Sequence, residues 1–259
     1  REVGLAGGLE AGGHGGGLKA NRGRDAAGDR VPGVGQGTGA TECILNQTGG
    51  MAPTPQRRIG LTGGIASGKS SVGRLLAARG LPVLDADVYA RQALAPGSPG
   101  TQAVLARYGE QVRAAGNAGD ALDRAALGRI VFADAAERHW LENLVHPLVR
   151  ARFTTELDRL TAAPVVVLMI PLLFETGLDA LCSEIWLVDC DEAQQRQRLM
   201  ARDGFNEAAA RARLAAQWPL ARKRPLAAVV LNNRGGPEQL EEEVARALQA
   251  LLSASTEPG

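Results

Sequence analysis

The chain has 259 residues, which is long enough for one large domain or two small ones. Its formal net charge is only +1, so composition offers no electrostatic case for nucleic-acid binding. The longest apolar run, residues 165–170, is far shorter than the roughly 18–20 residues that a membrane-spanning helix needs, which argues against a membrane protein.

The first 50 residues differ in composition from the rest of the chain. They hold 16 of the 33 glycines and contain no Phe, Trp or Tyr. Such a segment cannot bury enough apolar surface to offset its ordering entropy, and it lacks the apolar core of a secretory signal. We therefore predict that residues 1–56 form a disordered leader or an extension, with residues 1–50 lying upstream of a natural start at Met51 in the second case.

Residues 63–70 read Gly-Gly-Ile-Ala-Ser-Gly-Lys-Ser, between an apolar segment and a helical pattern. This is the strand–loop–helix context of a phosphate-binding P-loop, and a chance match in a glycine-rich turn is the alternative. The chain has three lysines and 26 arginines, so arginine is its usual cation. A lysine at position 69 departs from that usage, which favours a specific role for it. We expect Lys69 to bridge the β- and γ-phosphates of a nucleotide and the Ser70 hydroxyl to bind Mg²⁺.

Two aspartates follow the next strand pattern, which begins at Pro82. Because strand side chains alternate, Asp85 and Asp87 point to the same side if the strand continues that far. The alternative for either residue is a solvated strand end or a helix cap.

Residues 89–163 carry helical patterns and predict an inserted helical subdomain. Asp134 and Glu137 have the spacing of a capping box. His146-Pro147 is expected to interrupt the following helix, with a second helix beginning at Pro147.

Three further strand patterns lie at residues 165–170, 185–190 and 227–231, and a closing helix begins at Pro237. Since strands and helices alternate, we predict an α/β fold with a parallel sheet and crossover helices.

An arginine-rich helical hairpin occupies residues 193–225. Arg198 and Arg202 lie four residues apart, which places both guanidinium groups on one helix face where they can clamp phosphate oxygens. The alternative is an ordinary solvated face.

These features together favour a small-molecule kinase, because phosphoryl transfer requires mainly positioning and charge stabilisation. Residues 232–235 are not a guanine-reading motif, and no signature segment of a transport ATPase is found. A kinase for another small alcohol, such as shikimate or gluconate, remains an alternative. A binding module that senses ATP without transferring phosphate is a second one.

Five segments resemble dephospho-coenzyme A kinase, in order and at suitable separations. They are residues 58–70, 84–87, 146–147, 171–175 and 198–203. The resemblance implies a P-loop NTPase-type core (57–88, 164–192 and 226–252), a helical CoA-binding insertion (89–163), a lid (193–225) and a tail (253–259). It also implies ATP-dependent phosphorylation of the ribose 3′-hydroxyl of dephospho-CoA, the last step of coenzyme A biosynthesis, with Mg²⁺ as cofactor.

The resemblance assigns roles to individual residues as well. Catalytic residues are Asp87, Lys69 and Arg198. ATP-binding residues are Gly63, Gly64, Ile65, Ala66, Ser67, Gly68, Lys69, Ser70, Ser71, Arg202, Asn232 and Asn233. Substrate-binding residues are Asp85, Asp87, His146, Leu172 and Glu175, and metal-binding residues are Ser70 and Asp85.

Two of these residues have a structural alternative. His146 can be a helix-junction residue, and Glu175 can be a cap. The chain also departs from the family by lacking an aspartate just before the last strand. ATP and dephospho-CoA are the expected partners, without nucleic acid, membrane or an obligate protein partner. Three cysteines without disulfide-like or metal-like spacing favour a reducing, cytoplasmic compartment.

Overall fold

The computed structural model describes residues 55–116 and 119–253. The predicted leader lies outside the described residues except for Pro55 and Gln56, and so does the predicted tail from residue 254 onwards. The Gln56 amide donates hydrogen bonds to the main-chain oxygens of Leu160 and Ala163, at 2.6 and 3.1 Å. No helix among the described residues is long and apolar enough to cross a membrane.

Five parallel strands form one sheet in the order β2-β3-β1-β4-β5. The strands are β1 (Arg57–Gly63), β2 (Val83–Asp85), β3 (Val165–Met169), β4 (Glu184–Asp189) and β5 (Val229–Asn232). Every residue of β3 is buried, as expected of an apolar strand covered on both faces. The predicted parallel α/β fold is confirmed.

Nine α-helices are present in the described part of the chain. They are α1 (Lys69–Ala78), α2 (Ala86–Ala93), α3 (Pro99–Tyr108), α4 (Arg124–Ala133), α5 (Ala135–Arg159), α6 (Glu192–Asp203), α7 (Glu207–Ala215), α8 (Leu220–Lys223) and α9 (Pro237–Ser253). Helices α1 and α9 cover one face of the sheet through an apolar cluster that includes Leu76 and Val244. Helices α2 to α5 lie between β2 and β3 in the chain and share a second cluster with Leu168 of β3.

The register brings the carboxyl ends of the strands to one edge of the sheet. Asp85 pairs with Met169, Gly63 with Val188, and Asp189 with Asn232. Loops that leave a parallel sheet at this edge are where open α/β folds bind ligands. The fold therefore gathers most of the predicted site segments at a single edge.

Two local predictions in the helical block are wrong. Helix α5 continues through Pro147 rather than restarting there. Pro147 is exposed, and so is Asn143, whose carbonyl loses its intrahelical donor, so water can satisfy that carbonyl. Asp134 caps α5 through Ala136 N, but the Glu137 carboxylate pairs with Arg107 at 2.7 Å instead of completing a capping box.

Candidate active site

The loop between β1 and α1 has the backbone of a phosphate-binding loop. Gly68, just before α1, has φ 101°, and Ala66 has φ 58°, a left-handed conformation that costs an alanine about 1 kcal/mol. A Cβ added to Gly68 would lie 2.0 Å from Asn233 Nδ2, so glycine is required there on two grounds. The backbone N–H groups at the start of α1 remain available for an anion.

Three side-chain amides hold this loop from outside. Gln217 Oε1 accepts the Ile65 N–H at 2.9 Å, and Gln195 Nε2 donates to the Ile65 carbonyl at 2.7 Å. Asn233 Nδ2 donates to the Ser67 carbonyl at 2.7 Å. These amides come from α6, the α7–α8 connection and the end of β5, so the loop is fixed by the segments that surround it.

A cavity of about 650 Å³ opens above the loop. It is lined by residues 64–71 together with Asp87, Pro171, Arg198, Ala201, Arg202 and Gln217. The structure thus brings together the predicted P-loop, the predicted catalytic aspartate and both predicted lid arginines.

Lys69 and Asp87 form the charged centre of the cavity. Burial lowers the pKa of the Lys69 ammonium, and the Asp87 and Asp85 carboxylates oppose that change. Burial raises the pKa of the Asp87 carboxyl, while the Lys69 charge lowers it. Asp87 is therefore a carboxylate with raised basicity beside a cation, which suits acceptance of a proton.

The expectation that Asp85 and Asp87 share one side of a strand is wrong, because β2 ends at Asp85 and α2 begins at Ala86. Asp85 is the N-cap of α2, and its Oδ1 accepts the Asp87 N–H at 2.8 Å. The cap fixes the first turn of the helix, which carries Asp87 to the cavity. The helix-cap alternative for Asp85 is confirmed.

The two lid arginines differ in their contacts. Arg198 Nη2 donates to the Asn233 carbonyl at 3.0 Å, whereas its buried Nη1 has no hydrogen-bond partner among the described residues. Arg202 pairs with neighbouring Asp203 through two bonds of 2.7 and 2.8 Å. Arg198 is thus held by its backbone contact with one nitrogen left for a ligand.

Several other predicted site residues do not line the cavity. Gly63 is the last residue of β1. Asn233 is buried, and its side-chain amide donates to the main-chain carbonyl of Ser67 in the P-loop. Asn232 Oδ1 accepts the Arg234 N–H at 3.1 Å. His146 lies within α5, where burial lowers the pKa of its imidazole. The main-chain carbonyl of Leu172 accepts the Thr176 N–H at 3.0 Å.

Glu175 forms an ion pair with a buried lysine and does not itself line the cavity. Its Oε1 lies 2.9 Å from the fully buried Lys223 Nζ and also accepts the Trp218 N–H at 3.1 Å. Phe174 stacks on Trp218 with ring centroids 6.1 Å apart. These contacts join the loop after β3, whose Pro171 lines the cavity, to the base of the arginine-rich hairpin.

Sequence reasoning missed Gln195, Gln217 and Lys223. Isolated glutamines in polar helices follow no motif or period that would identify them. The rarity of lysine in this chain is a usable signal for Lys223, as it is for Lys69.

The chain is similar to known proteins in sequence and in structure. A family model described as dephospho-CoA kinase matches residues 57–239. A dephospho-CoA kinase of Synechococcus sp. (strain CC9605) is 67% identical over 185 residues, covering 71% of this chain and 88% of that protein. The one from Parasynechococcus marenigrum (strain WH8102) is 63% identical over 191 residues, with coverages of 74% and 94%.

Two solved structures are similar to the chain. A crystal structure from Thermus thermophilus has a TM-score of 0.66 and 40% identity, covering 78% of this chain and 100% of that chain. The dephospho-CoA kinase from Campylobacter jejuni has a TM-score of 0.59 at 23% identity, with coverages of 77% and 98%. The latter similarity supports the fold.

Proposed function

The chain belongs to the dephospho-CoA kinase family, and we propose that it transfers the γ-phosphoryl group of ATP to the ribose 3′-hydroxyl of dephospho-CoA. The products are coenzyme A and ADP, in the final step of coenzyme A biosynthesis. One observation carries this proposal: the P-loop, Asp87 and Arg198 line the same cavity. That cavity supplies a phosphate cradle, a base and a cation for one transfer reaction.

The donor side is formed by the P-loop. Backbone N–H groups at the start of α1 bind the ATP phosphates, and the Lys69 ammonium bridges the β- and γ-phosphates. The Ser67 hydroxyl is buried without a hydrogen-bond partner among the described residues, which supports a role toward a bound phosphate. Arg198 Nη1 then stabilises negative charge on the transferring group.

The acceptor side is formed by Asp87. Its carboxylate accepts the proton of the ribose 3′-hydroxyl as the oxygen attacks the γ-phosphorus. The ADP oxygen leaves on the opposite side, so the acceptor must enter from the side of α2. In this proposal residues 89–163 bind the acceptor and residues 193–225 close over the phosphates as a lid.

A divalent cation fits the donor atoms present. No three His, Cys, Asp or Glu side chains in residues 55–116 and 119–253 converge to hold a metal by themselves. The Ser70 hydroxyl nevertheless lines the cavity and offers an oxygen atom, the ligand type that Mg²⁺ prefers, whereas Asp85 is not among the residues that line the cavity and caps α2. Ser70 would hold Mg²⁺ there together with the ATP phosphates, and the ion would supply positive charge against the negative charge of the transferring group. A cytoplasmic location would fit such substrates.

A coupled ADP-release assay with dephospho-CoA, shikimate and gluconate side by side tests the proposal. We expect ATP-dependent ADP release with dephospho-CoA and none above background with the other two. Release with shikimate or gluconate but not with dephospho-CoA would move the chain to another acceptor. ATP binding without ADP release in the presence of any of the three acceptors would favour an ATP-sensing module.

A further inference from the structure

Two arginines of the helical insertion contact each other without an acidic partner. Arg124 is the first residue of α4, and its Nη2 donates to the main-chain oxygen of Arg91 on α2 at 3.1 Å. Neither guanidinium forms an ion pair with a carboxylate of the described residues, whereas nearby Arg107 pairs with Glu137 at 2.7 Å. The fold therefore joins two like charges from separate helices.

This arrangement costs free energy in the absence of an anion. Both arginines are half-buried, unlike exposed Arg129 on α4. Burial lowers the pKa of Arg124, and the neighbouring Arg91 charge lowers it further. Like charges that are partly removed from water are normally compensated by a counter-charge. A ligand with at least one negative charge would supply that compensation.

The arginine pair lies close to the proposed base. Arg91 follows Asp87 by four residues, so both occupy one face of α2 and are separated by one turn, about 5.4 Å along the axis. The Arg91 charge also acts on Asp87, whose pKa it lowers against the larger effect of burial. An anion bound by Arg91 would thus lie near a group bound by Asp87.

We infer that Arg91 and Arg124 bind the 5′-diphosphate of the acceptor, an inference that rests on the proposed function. In dephospho-CoA the diphosphate and the 3′-hydroxyl belong to one ribose, a few covalent bonds apart. A base for the hydroxyl and cations for the diphosphate must therefore lie within about one helical turn. Guanidinium forks match phosphate oxygens in geometry as well as in charge.

Steady-state kinetics of Arg91→Gln and Arg124→Gln test this inference, with Arg129→Gln as the matched surface control. With ATP saturating, we expect KM for dephospho-CoA to rise at least tenfold in each of the two variants. We expect KM for ATP to stay within twofold of wild type, and the control to match wild type in both. Calorimetric titration of dephospho-CoA into the ADP-saturated protein should show the same weakening, without dependence on turnover.

The outcomes separate the two proposals. Wild-type protein without turnover of dephospho-CoA would overturn the proposed function. Wild-type turnover with unchanged acceptor KM in both variants would overturn the diphosphate site alone. A rise confined to KM for ATP would assign the arginines to the donor phosphates and also overturn it. If a glutamine variant does not fold, the lysine variant at the same position replaces it. We then expect a KM for dephospho-CoA that is higher than that of wild type by less than tenfold. An unchanged KM for dephospho-CoA would contradict the inference.

Discussion

The side-chain amide of Asn233 donates a hydrogen bond of 2.7 Å to the main-chain carbonyl of Ser67, inside the phosphate-binding loop. The main-chain carbonyl of Asn233 accepts a hydrogen bond of 3.0 Å from Arg198 Nη2. One buried residue at the end of β5 therefore connects the loop that binds the donor phosphates with the arginine proposed to act on them.

Asn233→Ala should weaken nucleotide binding. The change leaves the buried Ser67 carbonyl without its donor, which costs about 1–3 kcal/mol and loosens the loop. We expect KM for ATP to rise several-fold while KM for dephospho-CoA changes little. Asn143→Ala, at an exposed position on α5, is the control and should leave KM for ATP unchanged. Equal effects of the two variants would contradict a specific role for Asn233.

Asp87→Asn should abolish most turnover and retain ATP binding. The amide cannot accept the hydroxyl proton, and loss of general-base catalysis typically lowers a rate by about 10²–10⁴-fold. Removal of a negative charge beside the phosphates should leave Kd for ATP unchanged or lower. Single-turnover rates and calorimetry measure the two effects separately. Asp158→Asn, an exposed position on α5, serves as the control, and wild-type turnover in Asp87→Asn would exclude Asp87 as the base.

The pH dependence of the rate should report on the same carboxylate. A base must be ionised to act, and burial raises the pKa of Asp87 above its ordinary value of 3.8. Activity should therefore fall as the pH decreases through a pKa higher than that value. The measurement is kcat/KM for dephospho-CoA as a function of pH, with the loss of activity expected on the acidic side. A profile that stays flat down to pH 4 would show that Asp87 does not titrate as expected.

The Glu175–Lys223 pair should matter for stability. Lys223 is fully buried, so Glu175→Gln leaves a buried ammonium without its counter-charge, and we expect a loss of about 3 kcal/mol in urea unfolding. Adding Lys223→Met to this variant should recover part of the loss. Glu241→Gln breaks the exposed pair with Arg79 and should cost less than about 1 kcal/mol. A loss from Glu175→Gln as small as that of the control would contradict this role.

The sequence predicted the parts of the site that follow a motif or a period. The P-loop spacing identified residues 63–70 because glycines and a lysine at fixed positions have a specific physical use. The buried strand at 165–170 was evident because apolar residues covered on both faces need no alternation. Asp87 was found by its place after β2, although the geometry came from a helix cap at Asp85 rather than from strand alternation.

Contacts between segments that are distant in the chain could not be predicted from the sequence. Gln217 and Ile65 are 152 residues apart, and nothing in the surroundings of a single glutamine indicates such a partner. Proline lacks the N–H donor of a helical hydrogen bond, so Pro147 predicts the end of a helix. Asn143 is exposed, however, and water can donate to its carbonyl in place of the missing N–H. In each case the outcome depends on burial and tertiary neighbours, which local patterns do not contain.

In the proposed function, the cavity above the P-loop directs ATP to one hydroxyl of dephospho-CoA. Phosphorus NMR of the product formed by the wild-type protein from ATP and dephospho-CoA tests it most directly. We predict a new phosphomonoester resonance coupled to the ribose 3′ proton, together with one equivalent of ADP. A phosphomonoester at any other position of dephospho-CoA, or ADP without a new ester, would exclude specific transfer to the 3′-hydroxyl.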